Sequence, residues 1–218
     1  MNRRKFTQCL ATAALSAAVP QIPAAASAAP TPKAPPYPLS VMLWTVFKDL
    51  PFEERLAKVA EAGYTNIELV GEYAKWSEAD FARANAARKR LGIRFDATAG
   101  LAHGVADPLA RDAFLGELRA ALTPMETLEC PAMIVLSGNV VPGLTRDAQH
   151  QFSIETLKRA AALVEGRQIA GQPVRLLLEC IHVEERPQYF LTSADEAIDV
   201  VRAVNHPQVQ FLYDIFHE

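Results

Sequence analysis

Beyond its first thirty residues the sequence has no apolar run near the roughly 18 residues that cross a bilayer, so no stable membrane anchor is expected once a leader is removed. It also lacks a basic surplus. Its 22 Lys and Arg stand against 25 Asp and Glu, for a net charge of −3, and the basic residues are dispersed. That is not the electrostatic footprint of a nucleic-acid binder. Histidine is scarce: the five present are scattered, which argues against a histidine-rich multi-zinc phosphodiesterase centre. Of three cysteines, Cys9 falls in the leader. Cys130 and Cys180 are expected at opposite ends of the fold, as buried free thiols rather than a disulfide. No G-x-G-x-x-G follows the first predicted strand, which weakens a dinucleotide-binding reading.

What is present begins with a leader. Arg3 and Arg4 stand side by side, an alanine-rich apolar stretch follows, and small residues end it in "PAAASAAP". Charged, apolar and cleavable parts in that order make a secretory signal over 1–28. The arginine pair resembles the twin-arginine export signal of bacteria, which implies the twin-arginine machinery as a partner and a periplasmic or secreted location. "PTPKAPPYP" reads as a stiff Pro/Ala-rich linker over 29–38.

From Leu39 onward, apolar runs alternate with helical periodicities. Strands are predicted at 39–44, 64–70, 93–98, 132–138, 174–179 and 209–214. Helices are predicted between them, two of them over about 109–129 and 147–169. Ser77 is expected to cap the second helix, and Ser193 with Glu196 reads as a capping box for the fifth. Alternation without exception implies parallel strands with crossover helices, and the nearly continuous apolar strands imply that both sheet faces are covered. A doubly wound sheet and a (β/α)8 TIM barrel both satisfy this pattern. Polar residues gather at the predicted C-terminal strand ends: Glu68 or Glu72, Asp96, Ser137 or Asn139, Glu179 and Asp214. Barrel enzymes place their chemistry there. Six of the eight βα units are expected, so the reading is an incomplete barrel over 39–218, truncated after its sixth strand.

From Leu39 the chain resembles bacterial hydroxypyruvate isomerases, within the xylose isomerase-like TIM barrels of sugar isomerases and epimerases. "LSVMLW" with "LPFEERLAKVAEAGYTNIELV" is similar to that family's first βαβ unit. "LLLECIHVEERPQYFLTSADEAIDVVRAVNHPQVQFLYDIFH" carries the more specific match: a strand glutamate, Pro-x-Tyr-Phe-Leu-Thr-Ser, a helix, and Tyr-Asp-Ile-aromatic-His. The resemblance implies an isomerase that moves a proton between adjacent carbons of a small hydroxy-carbonyl compound or sugar, through an enediolate. It implies Glu179 as the catalytic glutamate and also a metal ligand, Asp214 as a metal ligand, and His217 as a substrate contact. A divalent ion, Mn²⁺ or Mg²⁺, suits such oxygen ligands.

Glu68 is expected to bond substrate or orient neighbouring groups, with a purely structural role as the alternative. His103 lies in a loop on the expected active face, where a plain surface position competes with a site role. His182 stands where the family more often has asparagine; it either donates to substrate or merely covers the mouth. Trp44 floors the pocket or belongs to the core. Arg186 is the available ion-pair partner should Glu179 be structural, and Glu184, Glu185 and Arg186 together read as a solvated charge run. The family's remaining active groups come from strands seven and eight, so the 218 residues alone are expected to be inactive. Other readings are a sugar 3-epimerase, a non-catalytic carbohydrate-binding barrel and an endonuclease-IV-like enzyme.

Overall fold

The computed structural model describes residues 37–218; the expected leader and most of the linker lie outside the described residues. The strands, in chain order, are β1 (Ser40–Met42), β2 (Asn66–Val70), β3 (Arg94–Ala99), β4 (Ala132–Leu136), β5 (Gln168–Ile169), β6 (Gln172–Pro173), β7 (Arg175–Glu179) and β8 (Val209–Leu212). All but β5 and β6 join one parallel sheet, in the order β1-β2-β3-β4-β7-β8. The helices are α1 (Phe52–Glu61), α2 (Glu78–Leu91), α3 (Arg111–Leu128), α4 (Arg146–Val164) and α5 (Ala194–Val204). Every strand of the sheet pairs with its neighbour in parallel, so each crossover carries a helix onto the same outer face. This is the α/β architecture of a TIM barrel that is not closed: among the described residues β1 and β8 are its two edges.

Strict alternation has one exception. After α4, which ends at Val164 rather than near 169, β5 and β6 intervene as a two-stranded antiparallel hairpin. Ala170 and Gly171 at its tip both have positive φ, the geometry of a tight two-residue turn. The first strand is also shorter than its apolar run: a 3₁₀ turn at Leu43–Thr45 breaks it off.

The helices start and stop for local reasons. Ser77 accepts from the Asp80 amide while the Asp80 side chain accepts from the Ser77 amide, a reciprocal capping box ahead of α2. Gly92, at φ 69°, ends that helix in the left-handed region. Ser193 caps α5 by accepting from the Glu196 amide. The box is not closed there, because the Glu196 carboxylate is drawn away to the Arg146 guanidinium, with Nε–Oε1 at 2.7 Å. A charge-assisted contact outcompetes the neutral amide.

Period-two alternation then sorts the strand residues. On the outer face, Leu176, Leu178, Met133 and Val135 are buried against α3, α4 and α5. Ile67, Leu69 and Phe95 pack with Leu56 and Val59 of α1 and Ala87 of α2. On the inner face, Ala97, Ala132 and Ile134 gather with Leu136, Leu177 and Leu212. Glu179 shares its strand face with Leu177, so the alternation that drives its neighbours outward turns it inward.

Loops at the C-terminal ends of β3, β4 and β7 are zipped together by backbone bonds. Val105 N donates to Leu136 O, Ala106 N to Ser137 O, and Phe190 N to Gly138 O, at 3.0, 2.9 and 2.9 Å. Ser137 Oγ accepts from the Leu191 amide at 3.1 Å. Gly104 makes this possible: a Cβ there would lie 2.3 Å from Ser137 O and 2.4 Å from Gly138 N, both backbone atoms. Gly104→Ala is therefore expected to lower stability by about 1–3 kcal/mol, read as a fall in urea midpoint. An unchanged midpoint would mean that the two loops are not packed this closely.

Candidate active site

Glu179 is the last residue of β7, and Asp214 follows β8, the strand paired with it. Adjacent parallel strands ending in register bring both carboxylates to one place. A short 3₁₀ turn at Ile215–His217, started by the Asp214 carboxylate accepting from the Phe216 amide at 2.9 Å, folds His217 back over them. His217 Nε2 lies 4.0 Å from Glu179 Oε1 and 3.8 Å from Asp214 Oδ2. Neither is a hydrogen bond, so the three groups face a common space without closing it. Their donor atoms all lie within 4.8 Å of one another. His182 joins from the loop after β7, its Nδ1 2.7 Å from His217 Nδ1.

The inner face behind this group is acidic. Glu68 and Asp96 sit within β2 and β3, two and three residues before the strands end at Val70 and Ala99. The pairing of β2 with β3 slips between Ile67 and Glu68, so Asp96 occupies an extra position. It is well supplied there: Ser40 Oγ donates at 2.9 Å, its own and Ala97's backbone contribute, and Arg175 stands near. Burial nonetheless raises its pKa.

Glu68 and Glu179 have no such relief. Burial first, then the charges of Asp96, Asp214 and Glu72, push Glu68 up to about 7. Burial first, then Asp214, Glu68 and Glu185, push Glu179 up to about 7. Every one of these influences disfavours the ionised form. A carboxylate poised near neutrality can both take and return a proton, which is what general acid–base work at neutral pH requires. The same unrelieved negative charge, with three donors at hand, fits a hard divalent cation held by Glu179 and Asp214.

The remaining sequence candidates divide. Glu68 shares the field of Asp214 across the sheet. His103 is engaged elsewhere: its Nδ1 lies 2.5 Å from Glu117 Oε1, and its amide donates to Glu117 at 3.1 Å. It lines a separate cavity of about 480 Å³ with Asp107, Ser137, Asn139, Arg186 and Tyr189. Arg186 thus faces that cavity and is not Glu179's ion-pair partner. Trp44 does not join the core; it is 47% exposed, with Lys48 Nζ 5.5 Å from its ring. Cys130 and Cys180 are free and buried, and burial pushes both thiols up to about 12, leaving them inert at neutral pH. Glu185 is the residue that the sequence hid. It reads as part of a charged run, yet its Oε2 comes within 3.9 Å of His217 Nδ1. The spacing to a histidine 32 positions away carries no signal.

A stability test follows from the two raised carboxyls. In the unfolded chain they ionise near the ordinary 4.5, in the folded chain near 7. Between these values the folded state binds more protons, so stability falls as pH rises from about 4.5 through 7. Glu179→Gln is expected to flatten that fall and to raise stability at pH 8 by on the order of 2 kcal/mol, by urea denaturation at pH 5 and pH 8. Parallel pH profiles for parent and variant would show that Glu179 is not held among these charges.

Known proteins resemble this chain in sequence and fold. The family model described as xylose isomerase-like TIM barrel matches residues 56–218. A 2-oxo-tetronate isomerase of Pectobacterium atrosepticum is 28% identical over 179 residues, covering 79% of this chain and 65% of its own length. A putative hydroxypyruvate isomerase of Mus musculus is 30% identical over 182 residues, covering 79% of this chain and 64% of its own. The chain thus spans a little under two thirds of either relative. Among solved structures, an AP endonuclease, family 2, from Brucella melitensis superimposes with a TM-score of 0.70 at 26% identity, over 83% of this chain and 70% of that one. With the family model covering most of the sequence and the strand-end carboxylates converging inside an open parallel barrel, the chain belongs to the xylose isomerase-like TIM barrels, a family of sugar isomerases and epimerases.

Proposed function

We propose that the protein is an isomerase of hydroxypyruvate isomerase type, interconverting a small 2-hydroxy carbonyl compound and its carbonyl-shifted isomer. The observation that carries this reading is Glu179, half-buried beside Asp214 and lifted to about 7 at the mouth of the barrel. The curated relatives named as isomerases support the same class.

In this reading Glu179, ionised, takes the proton from the hydroxyl-bearing carbon. The C–H electrons move into a carbon–carbon double bond and the carbonyl oxygen gains negative charge, giving an enediolate. The hydroxyl proton then passes to the former carbonyl oxygen, and the proton held by Glu179 returns to the neighbouring carbon, so that the former hydroxyl-bearing carbon becomes the carbonyl. His217 Nε2, facing both carboxylates, donates to a substrate oxygen when it carries the proton. Glu68 behind the pair keeps Glu179 from ionising too readily, which maintains its basicity. Glu179 and Asp214 would hold the divalent ion, Mn²⁺ or Mg²⁺ by their oxygen donors; when bound it supplies positive charge against the developing oxyanion.

A nuclease reading draws on the name of the Brucella protein. Two features oppose it: the acidic inner face would repel a phosphodiester backbone, and the net charge of −3 offers nothing to attract one.

The test is exchange of substrate C–H protons in D₂O, followed by NMR with the complete reading frame and small keto and aldo acids and sugars, with and without Mn²⁺. Exchange is expected in the parent, and Glu179→Gln should slow it about 10²–10⁴-fold while the circular dichroism is unchanged. A metal-replete parent that exchanges no C–H proton would refute isomerase chemistry, and full exchange by the variant would remove Glu179 from the role of base. For location, we propose twin-arginine export to the periplasm or beyond. Replacing Arg3 and Arg4 by lysine is expected to retain the protein in the cytoplasmic fraction, and undiminished export would overturn that route.

A further inference from the structure

His217 stands between two groups of donors and turns a different ring nitrogen to each. Nε2 looks toward Glu179 and Asp214. Nδ1 looks the other way, to His182 Nδ1 at 2.7 Å and Glu185 Oε2 at 3.9 Å. His182, Glu185 and His217 each offer one donor atom, and these atoms lie within 4.8 Å of one another. We propose that His182, Glu185 and the Nδ1 of His217 form a second metal site, one that takes a borderline transition ion such as Zn²⁺ and is distinct from the carboxylate pair beside it.

The donor chemistry separates the two sites. Two imidazole nitrogens and one carboxylate suit Zn²⁺, Co²⁺ or Ni²⁺, whereas a carboxylate pair suits Mg²⁺ or Mn²⁺. The geometry shows how near the site is to readiness. A contact of 2.7 Å between two ring nitrogens needs a single proton between two lone pairs, and a metal ion replaces that proton with both lone pairs aimed at itself. Two nitrogens about 2.0–2.1 Å from one tetrahedral ion sit roughly 3.3 Å apart, so the rings need to part by only about half an ångström. The Phe216 ring packs edge-on against both imidazoles, with centroids 5.1 Å from each, and limits their swing. Residues 183–188 between His182 and Tyr189 are exposed, so Glu185 is free to complete the set and water can fill the open position.

An ion here would tie the loop after β7 to the turn after β8. It would also fix the tautomer of His217: with Nδ1 on the metal, the remaining proton is on Nε2, where it faces the two carboxylates as a donor. The site reaches beyond the isomerase reading, because binding can be measured without turnover.

The test is calorimetric titration of the full chain with Zn²⁺ in excess Mg²⁺, with Co²⁺ absorption as a report of nitrogen ligation. One tight Zn²⁺ per chain is expected despite Mg²⁺. His182→Asn and Glu185→Gln should each weaken it by at least about tenfold, and Glu179→Gln should leave it within about threefold. Glu185 is 46% exposed on its side chain, so its replacement keeps the test open should His182→Asn not fold. Parent protein that binds no Zn²⁺ in Mg²⁺, His182 and Glu185 variants that bind as the parent does, or a loss confined to Glu179→Gln would each overturn the second site.

Discussion

A parallel strand in a barrel wall can offer only every second side chain to the interior, and that constraint decides where charge ends up in this protein. In β7 the leucines at 176 and 178 are drawn under the helices, which commits Leu177 and Glu179 to the opposite face. The same division leaves Glu68, Asp96 and Asp214 on that face while Ile67, Phe95 and Val209 bury outward. The outer core thus holds the acidic interior in place, and neither Glu68 nor Glu179 can turn away without its strand shifting register by one residue and exposing its apolar side chains.

Such an interior is under electrostatic tension. Where donors are at hand the tension is met locally, as Ser40 and Arg175 do for Asp96. Where they are absent, as around Glu68 and Glu179, the protein keeps carboxyls whose ionised form is disfavoured from every side. A group of that kind is a poor contributor to folding and a good partner for a proton or a cation. The lack of compensation at Glu179, against the donors around Asp96, is what singles Glu179 out for the proposed role of base.

Much of this is readable in the sequence because it depends on short-range pattern. The alternation of strand and helix, the Ser77 cap and the strand-end position of Glu179 are all properties of neighbours in sequence. Asp214 is legible for the same reason, being carried by a specific local motif. The misreadings share a different cause. Glu196 leaves its capping box for Arg146, 50 residues away. Glu185 leaves an ordinary charged run for His217. The hairpin of β5 and β6 escapes because two-residue strands carry no periodicity. In each case a long-range partner, or a segment too short to show a period, sets the outcome.

The anchoring of the loop between β7 and α5 has a mechanical consequence. One end is pinned at Ile181, whose amide donates to Leu191 O, and the other at Phe190, held by Gly138 O and by the stacked guanidinium of Arg146. Between these pins Gln188 O accepts from Val140 N at 2.8 Å, while the backbone of residues 183–187 bonds only within its own loop. Such a segment behaves as a flap sewn at both hems: it can bend without tugging on the sheet. Amino-acid changes from 183 to 187 therefore fall on exposed loop positions whose backbone does not bond to the wall, and they leave the sheet pairing beneath untouched.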